Sequence, residues 1–304
     1  DTSGNTNDFT ETNMDTTNGS NQMYDTPTRN FITWNPASKD SSATLTQGNL
    51  KAVGTSGSTA DRVDSTIFLP SSGKYYFEGV IDALSGGYPG LGIGRQLVSN
   101  YNTFPSQTGL GGVDITGLGD VYANTDGGTG NTEVANYASS SVGDVIGIAI
   151  DMDTGKVWFS RNGTFLGSGD PGAGTGEDYV TIPGSTVFMP QFTGYNNTSY
   201  TANFGQWRYF DGAATTLDTA AGGYFQSTSV PTGFKAINQD NLPENTAGIT
   251  GLSWIKNRDA TDFHVLSDRV RGVYEYVASD DNAAQVTNTN SVQRFLQQGV
   301  QVGS

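Results

Sequence analysis

The chain contains no cysteine, a single histidine, and only 15 Lys and Arg among its 304 residues. Without cysteine there is no disulfide framework and no thiolate metal site, though the redox compartment stays open. With one histidine, His264, a multi-histidine metal centre is excluded within one chain, and a Ser-His-Asp triad would have to be built around that side chain. No cofactor and no metal are therefore expected. The 15 basic residues face 30 acidic ones, a net charge of −15. That balance argues against nucleic acid, whose phosphate backbone demands clustered cations, and against an anionic membrane surface. No apolar run approaches the roughly 18 residues of a membrane span, so no membrane insertion is expected. No amphipathic helix pattern of about ten residues is present either. The first residues are polar and acidic, and no signal peptide is legible in them. If the protein works outside a cell, lysis or a dedicated secretion system is the expected exit.

What the chain does have is glycine, 41 residues in all, about twice the usual ~7%. Thr, Asn, Asp and Ser are also abundant; these are turn formers and poor helix formers. Residues 1–29 form a polar, low-complexity run with four apolar residues, Phe9, Met14, Met23 and Tyr24. Such a run cannot bury a core alone, and reads as an extended linker or the trailing segment of a preceding module. From about Asn30 short apolar runs alternate with Gly, Ser, Asn and Pro clusters, the pattern of an all-β sandwich. In KYYFEGVIDA (74–83), Tyr75, Phe77, Gly79 and Ile81 share one face, and Tyr76, Glu78, Val80 and Asp82 the other. In DVIGIAIDM (144–152), Ile146, Ile148, Ile150 and Met152 share a face, while Val145, Gly147 and Ala149 make a small opposite face. A strand apolar on both sides is covered on both sides, and its small face lets another layer approach closely. Further strands are expected at 31–35, 43–53, 65–69, 90–95, 119–124, 156–160, 187–193 and 199–205. The sandwich is expected over 30–210, followed by a small, polar connector at 211–233. A C-terminal β-module at 234–304 has four or five strands at most, too few to close a sandwich unless more chain or another copy completes it.

The segment GDVIGIAIDMDTGKVWFSRNGTFLG (143–167) carries two turn motifs. DMDTG (151–155) spaces two Asp residues like a calcium loop, but the glycine falls at position five and position twelve is Asn162. It reads as a tight turn in which Asp side chains cap backbone amides. Asn162-Gly163 is the strongest short hairpin signal. The segment is thus a β-meander with Trp158 and Phe159 on opposite faces.

Taken in order, GKYYFEGVI (73–81), GLGIG (90–94), the 143–167 meander and VFMPQFTGYNNTSYTANFGQ (187–206) resemble the SPRY domain family. The resemblance implies an all-β, concanavalin-like antiparallel sandwich that binds proteins or other ligands through loops at one edge and performs no catalysis. The chain departs from that pattern at 168–186, where cellular SPRY domains often have a shorter connection. The flanks, including DTPTRNFITWNP (25–36), PTGFKAINQDNLPE (231–244) and GLSWIKNRDATDFHVLSDRVRG (251–272), resemble large multi-domain structural proteins of marine bacteriophages. That resemblance implies a virion protein assembled in the host cytoplasm, a tail-fibre or other appendage subunit. Its implied partners are other virion proteins, further copies of itself (a trimer, for a fibre) and a host cell-surface glycan or protein. The alternatives are a head or sheath decoration protein that stabilises the shell, a secreted bacterial carbohydrate-binding adhesin, and a polysaccharide-degrading enzyme.

Paired carboxylates drive glycoside hydrolysis, and Glu78, Glu133, Glu177 and Asp126 are the candidate acids. All but Glu78 fall in glycine-rich loops, where acids ordinarily serve solubility. The loop aromatics Tyr88, Tyr101, Phe104, Tyr137 and Tyr195, with Asn196, sit among Gly, Asn and Ser. That mixture of rigid amphipathic rings and adaptable hydrogen-bonding groups suits recognition, although each ring could instead cap the end of its own sandwich. Lys256, Arg258, Arg269 and Arg271 cluster in a chain poor in cations, and their interleaving with Asp favours intersubunit ion pairing over nucleic acid. His264 lies on an expected strand and reads as a surface or interface residue, sensitive to pH if Asp262 or Asp268 is near.

Overall fold

A computed structural model describes residues 25, 29–84, 89–95, 103–107, 111–125, 130–184, 188–208, 210, 215–226, 230–242, 252–268, 271–282, 284–296 and 299–303. The expected extended segment over 1–29 lies outside the described residues, apart from Asp25 and Arg29. The chain divides into two units, Asp1–Leu242 and Pro243–Ser304.

The first unit is built from β1 (Trp34–Lys39), β2 (Thr44–Thr46), β3 (Lys51–Gly54), β4 (Asp61–Ser65), β5 (Lys74–Ala83), β6 (Gly90–Arg95), β7 (Val113–Thr116), β8 (Asp120–Ala123) and β9 (Thr132–Asn136). It continues with β10 (Val145–Asp151), β11 (Lys156–Arg161), β12 (Thr164–Phe165), β13 (Tyr179–Val180), β14 (Phe188–Gly194), β15 (Thr198–Asn203), β16 (Thr216–Asp218) and β17 (Gly223–Phe225). One sheet has the order β1-β4-β14-β6-β7-β8-β9; the facing sheet has the order β12-β11-β10-β5-β15-β3-β2, with β13 also on β11. Their ladders are antiparallel, so the all-β sandwich implied by the sequence is what forms.

The alternation read in β5 and β10 sets the layers. Tyr75, Phe77, Ile81, Ile146, Ile148 and Ile150 enter the core between the sheets, with Trp34, Phe192, Tyr200 and Phe204. Rings interlock there: Trp34 meets Phe204 edge-on with centroids 5.4 Å apart, and Phe192 meets Tyr200 at 6.0 Å. The small face of β10 admits a second cluster: Tyr76, Ala149 and Trp158 pack against Phe31, Ala221, Phe225, Phe234 and Ala236. Gly147 is required for this, because a Cβ there would fall 2.3 Å from Tyr76 Oη. The covering layer is the β16–β17 hairpin, with the chain around Phe234 behind it. Where β15 stops pairing with β5, Lys235 takes over the ladder: Tyr76 N donates to Lys235 O at 2.9 Å and Lys235 N to Lys74 O at 3.0 Å.

The turns form as their residues dictate. Asp153 N and Thr154 N both donate to Asp151 Oδ1, at 3.0 and 3.2 Å, so DMDTG is a capped turn. Asn162 and Gly163 adopt φ of 49° and 80°, the mirror-image turn that matches strand twist. Trp158 and Phe159 do lie in the two different clusters.

Some strand expectations are corrected. The strand expected at 31–35 begins only at Trp34 and runs to Lys39 as β1. The expected strand at 43–53 is two strands, β2 and β3, because Gln47, Gly48 and Asn49 all take positive φ and turn the chain back. The strand expected at 65–69 is β4, at Asp61–Ser65; its polar residues are buried in mutual bonds rather than looped out. β7 and β9 were not anticipated: VDIT is short and carries a buried acid, and TEVAN is an edge strand with little apolar signal.

The second unit contains the sheet β18 (Leu252–Ile255), β19 (Val265–Asp268), β20 (Glu275–Ala278), β21 (Val286–Thr287), and the pair β22 (Val292–Leu296) and β23 (Gly299–Val302). Among its described residues only Ser253, Ser267 and Val292 are buried.

Candidate binding cleft

Leu91 and Ile93 point into the core, so Gly90, Gly92 and Gly94 line the outer face of the first sheet. Glycine is needed there. A Cβ at Gly92 would lie 2.6 Å from Asp114 Cα, and one at Gly90 would lie 2.9 Å from Asp114 Oδ2 and 3.1 Å from Phe104 Cδ1. The missing side chains make room for residues 103–107 to fold back over the sheet, with a 3-10 turn at Pro105–Gln107.

Buried polar groups pin this segment. Arg62 and Asp64, both fully buried, form an ion pair with Nε to Oδ1 at 3.0 Å. Ser38 Oγ and Gln191 Nε2 also donate to the Asp64 carboxylate, at 2.7 and 2.8 Å. Burial still raises the Asp64 pKa above its ordinary value, against the pull of Arg62. Desolvation cancels much of such a pair's attraction; its visible effect is positional, because Arg62 Nη1 also holds Thr103 Oγ1 at 3.1 Å. Ser106 N donates to Asp114 Oδ1 at 2.8 Å. Burial pushes the Asp114 carboxyl up to about 6, with the bonds from Ser106 opposing that rise.

The third contributor is the turn between β14 and β15. Asn196 and Asn197 both take left-handed φ, 53° and 61°. Their amides donate to Ser56 O and Gly54 O at 2.7 and 2.8 Å, and Thr198 Oγ1 closes the turn onto Tyr195 O at 2.9 Å. Together these elements bound an open cleft of about 240 Å³ lined by Phe104, Gln107, Thr116, Tyr122, Asn131 and Tyr195. Tyr122 reaches the cleft from β8, its hydroxyl 3.5 Å from Glu133 Oε2; burial, then Asp120 and Glu133, raises its pKa. Thr116 is 3% exposed, and its Oγ1 has no hydrogen-bond partner among the described residues.

Of the loop aromatics read from the sequence, Phe104 and Tyr195 share this cleft. Asn196 shapes the turn beside it. Tyr137 is half-buried and its hydroxyl donates to Asp178. Tyr88 and Tyr101 lie outside the described residues. Gln107, Thr116, Tyr122 and Asn131 were not anticipated; Thr116 and Tyr122 sit on strands whose outward face only the assembled sheet identifies.

The remaining candidates separate. Glu78 is fully buried and accepts from Tyr76 Oη, Asn203 Nδ2 and Gln226 N, so it is a structural group rather than an exposed acid. Glu177 pairs with Lys156 at 3.3 Å, Glu133 is exposed, and Asp126 lies outside the described residues. No group of three His, Cys, Asp or Glu side chains suited to a metal occurs among the described residues. Lys256 Nζ donates to Ala260 O at 3.2 Å and to Asp262 O, and Arg271 pairs with Asp268 three residues back. Arg258 is exposed and Arg269 lies outside the described residues. Near His264 are Trp254, whose Nε1 donates to His264 Nδ1 at 2.8 Å, and Asp280, which accepts from His264 N at 2.9 Å. Asp262 and Asp268, the expected neighbours, are bound to Asn257 and Arg271. The long 168–180 stretch is laid against β11: Trp158 Nε1 donates to Thr175 O at 2.9 Å, and Lys156 Nζ to Gly174 O at 2.7 Å.

Residues 74–206 match the SPRY domain family, and this part of the chain is a SPRY domain. Residues 221–304 match a second family, described as a domain of unknown function (DUF7483). Among solved structures, the SPRY domain of human HERC1 is similar at 14% identity and a TM-score of 0.41, over 56% of this chain and 96% of that one. No curated protein matches the chain.

Proposed function

We propose that the chain is a binding and structural subunit of a bacteriophage virion, a tail-fibre or similar appendage protein, whose SPRY domain presents its cleft to a host surface or to a neighbouring subunit. The observation that carries the binding role is the SPRY domain at 74–206, a class of module that works by interaction. Phe104 and Tyr195, far apart in sequence, meet in one cleft of that domain, which supports a contact role for the loop aromatics. The virion role is supported by the likeness of the flanks to phage structural proteins. A net charge of −15 suits a protein packed on a particle in salt, where repulsion is screened. The sparse burial among the described residues of the second unit fits a module completed by further copies, and a trimer is the assembly we favour.

Gold-labelled antibody against the recombinant chain, applied to intact particles of the encoding phage, tests this reading. Label on the fibres supports it, and light scattering should then give the mass of a trimer. Label on head or sheath assigns the protein to shell decoration. Label on uninfected cells and on no particle overturns the virion role.

A further inference from the structure

We propose that the cleft between Phe104, Tyr122 and Tyr195 binds a neutral saccharide. The inference rests on reading the SPRY domain as a binding module and names the chemistry of what it binds. Among the described residues the lining combines three aromatic rings, two of them tyrosines with their own hydroxyls, with two carboxamides, Gln107 and Asn131, and the hydroxyl of Thr116. A sugar ring presents the complementary set: a face of C–H bonds that stacks on an aromatic ring, and a rim of hydroxyls that each donate and accept.

Thr116 is the decisive residue. It is 3% exposed, lines the cleft, and leaves Oγ1 without a partner among the described residues. Buried hydroxyls are normally paired, and an unpaired one carries a desolvation penalty that a bound hydroxyl removes.

The same lining disfavours other ligands. Among the described residues it contains no Lys, Arg or His, so they offer an anion no counter-charge. An apolar ligand would leave buried Thr116 Oγ1 unpaired and would cover the exposed Asn131 carboxamide. A quaternary ammonium would suit the rings but would leave Thr116 Oγ1 unmatched. At about 240 Å³ the cleft is smaller than the roughly 300–1,000 Å³ of sites that enclose drug-sized molecules. It fits one residue of a longer glycan.

The test uses the full chain, with saturation-transfer NMR and calorimetry on four neutral hexasaccharides: gluco-, N-acetylgluco-, manno- and galacto-configured. Tetramethylammonium is run in parallel. At least one hexasaccharide is expected to bind. Tyr195→Ala should weaken it by about tenfold or more, through lost stacking. Thr116→Val should weaken it by about three- to tenfold while the melting temperature holds or rises, a combination that a purely structural threonine would not give. The proposal is overturned if none of the four binds, if binding survives both substitutions unchanged, or if tetramethylammonium binds and the saccharides do not. A chain that ignores all four saccharides yet still labels the fibres loses this inference and keeps the binding-subunit role.

Discussion

Gln226 N donates to Glu78 Oε1 at 2.5 Å across 148 residues of sequence. The bond ties the hairpin β16–β17 to the middle of the SPRY domain. Residues 221–304 match a separate family, yet Ala221, Phe225, Phe234 and Ala236 pack on the sandwich rather than in the second unit. A fully buried carboxylate at the seam fixes where that layer sits.

Glu78→Ala should therefore destabilise the first unit by about 2–4 kcal/mol, because it strips the acceptor from a main-chain N–H and from Asn203 and leaves a void beside Tyr76. Glu78→Gln keeps an acceptor oxygen and should cost less. Denaturant unfolding measures both. Equal stability of Glu78→Ala and the parent would show that the seam does not hold the layer.

Asp114 should make stability fall as pH rises. Its carboxyl sits at about 6 in the folded chain, against 3.8 for the free group. Between those values the folded state holds a proton that the unfolded state has lost, so raising the pH through that window disfavours folding, by up to about 3 kcal/mol once both are ionised. Asp114→Asn keeps an acceptor for Ser106 N and cannot ionise. Its gain over the parent should be largest above pH 6 and should shrink below pH 4. Thermal melts of the two proteins across pH 4–8 give the difference directly, and a difference that does not vary with pH excludes the assignment.

Tyr137 and Asp178 fasten the 168–180 stretch to the sandwich. Asp178 accepts from the Tyr137 hydroxyl and, at 2.7 Å, from Phe159 N. Burial already raises the Asp178 pKa, and these two bonds restrain the rise. Removing the hydroxyl with Tyr137→Phe lifts it further. The loss of stability, about 1–2 kcal/mol at neutral pH, should then diminish on acidification as the carboxyl takes up its proton. Protease cleavage within 168–180 should accelerate in parallel.

Much of the sandwich was legible because β5 and β10 show their burial in their own alternation, and because Asp151 and Asn162-Gly163 mark turns by local chemistry alone. β4 was misplaced for the opposite reason. DRVDS is polar, and its burial depends on Ser38 and Gln191, which lie 26 and 127 residues away from Asp64. The cleft divides in the same way. Phe104 and Tyr195 stand out as aromatics among turn formers, whereas Thr116 and Tyr122 become lining only when the glycines of β6 let another segment cross the sheet. No local pattern encodes that crossing.

The turn that carries Tyr195 separates backbone strain from contact. Asn197 is exposed, with φ at 61°, so its side chain contributes little packing and its main cost is the left-handed backbone. Glycine adopts that conformation freely, and a β-branched residue does not. Asn197→Gly should stay within about 1 kcal/mol of the parent, and Asn197→Val should lose about 1–2 kcal/mol. The closure Thr198 Oγ1 to Tyr195 O depends on the same geometry. The valine variant should therefore also displace the Tyr195 ring and weaken any ligand held in the cleft, while the glycine variant leaves it in place. Unfolding curves and ring resonances of Tyr195 in the three proteins decide the matter; a valine variant as stable as the glycine one would mean that the turn tolerates another geometry.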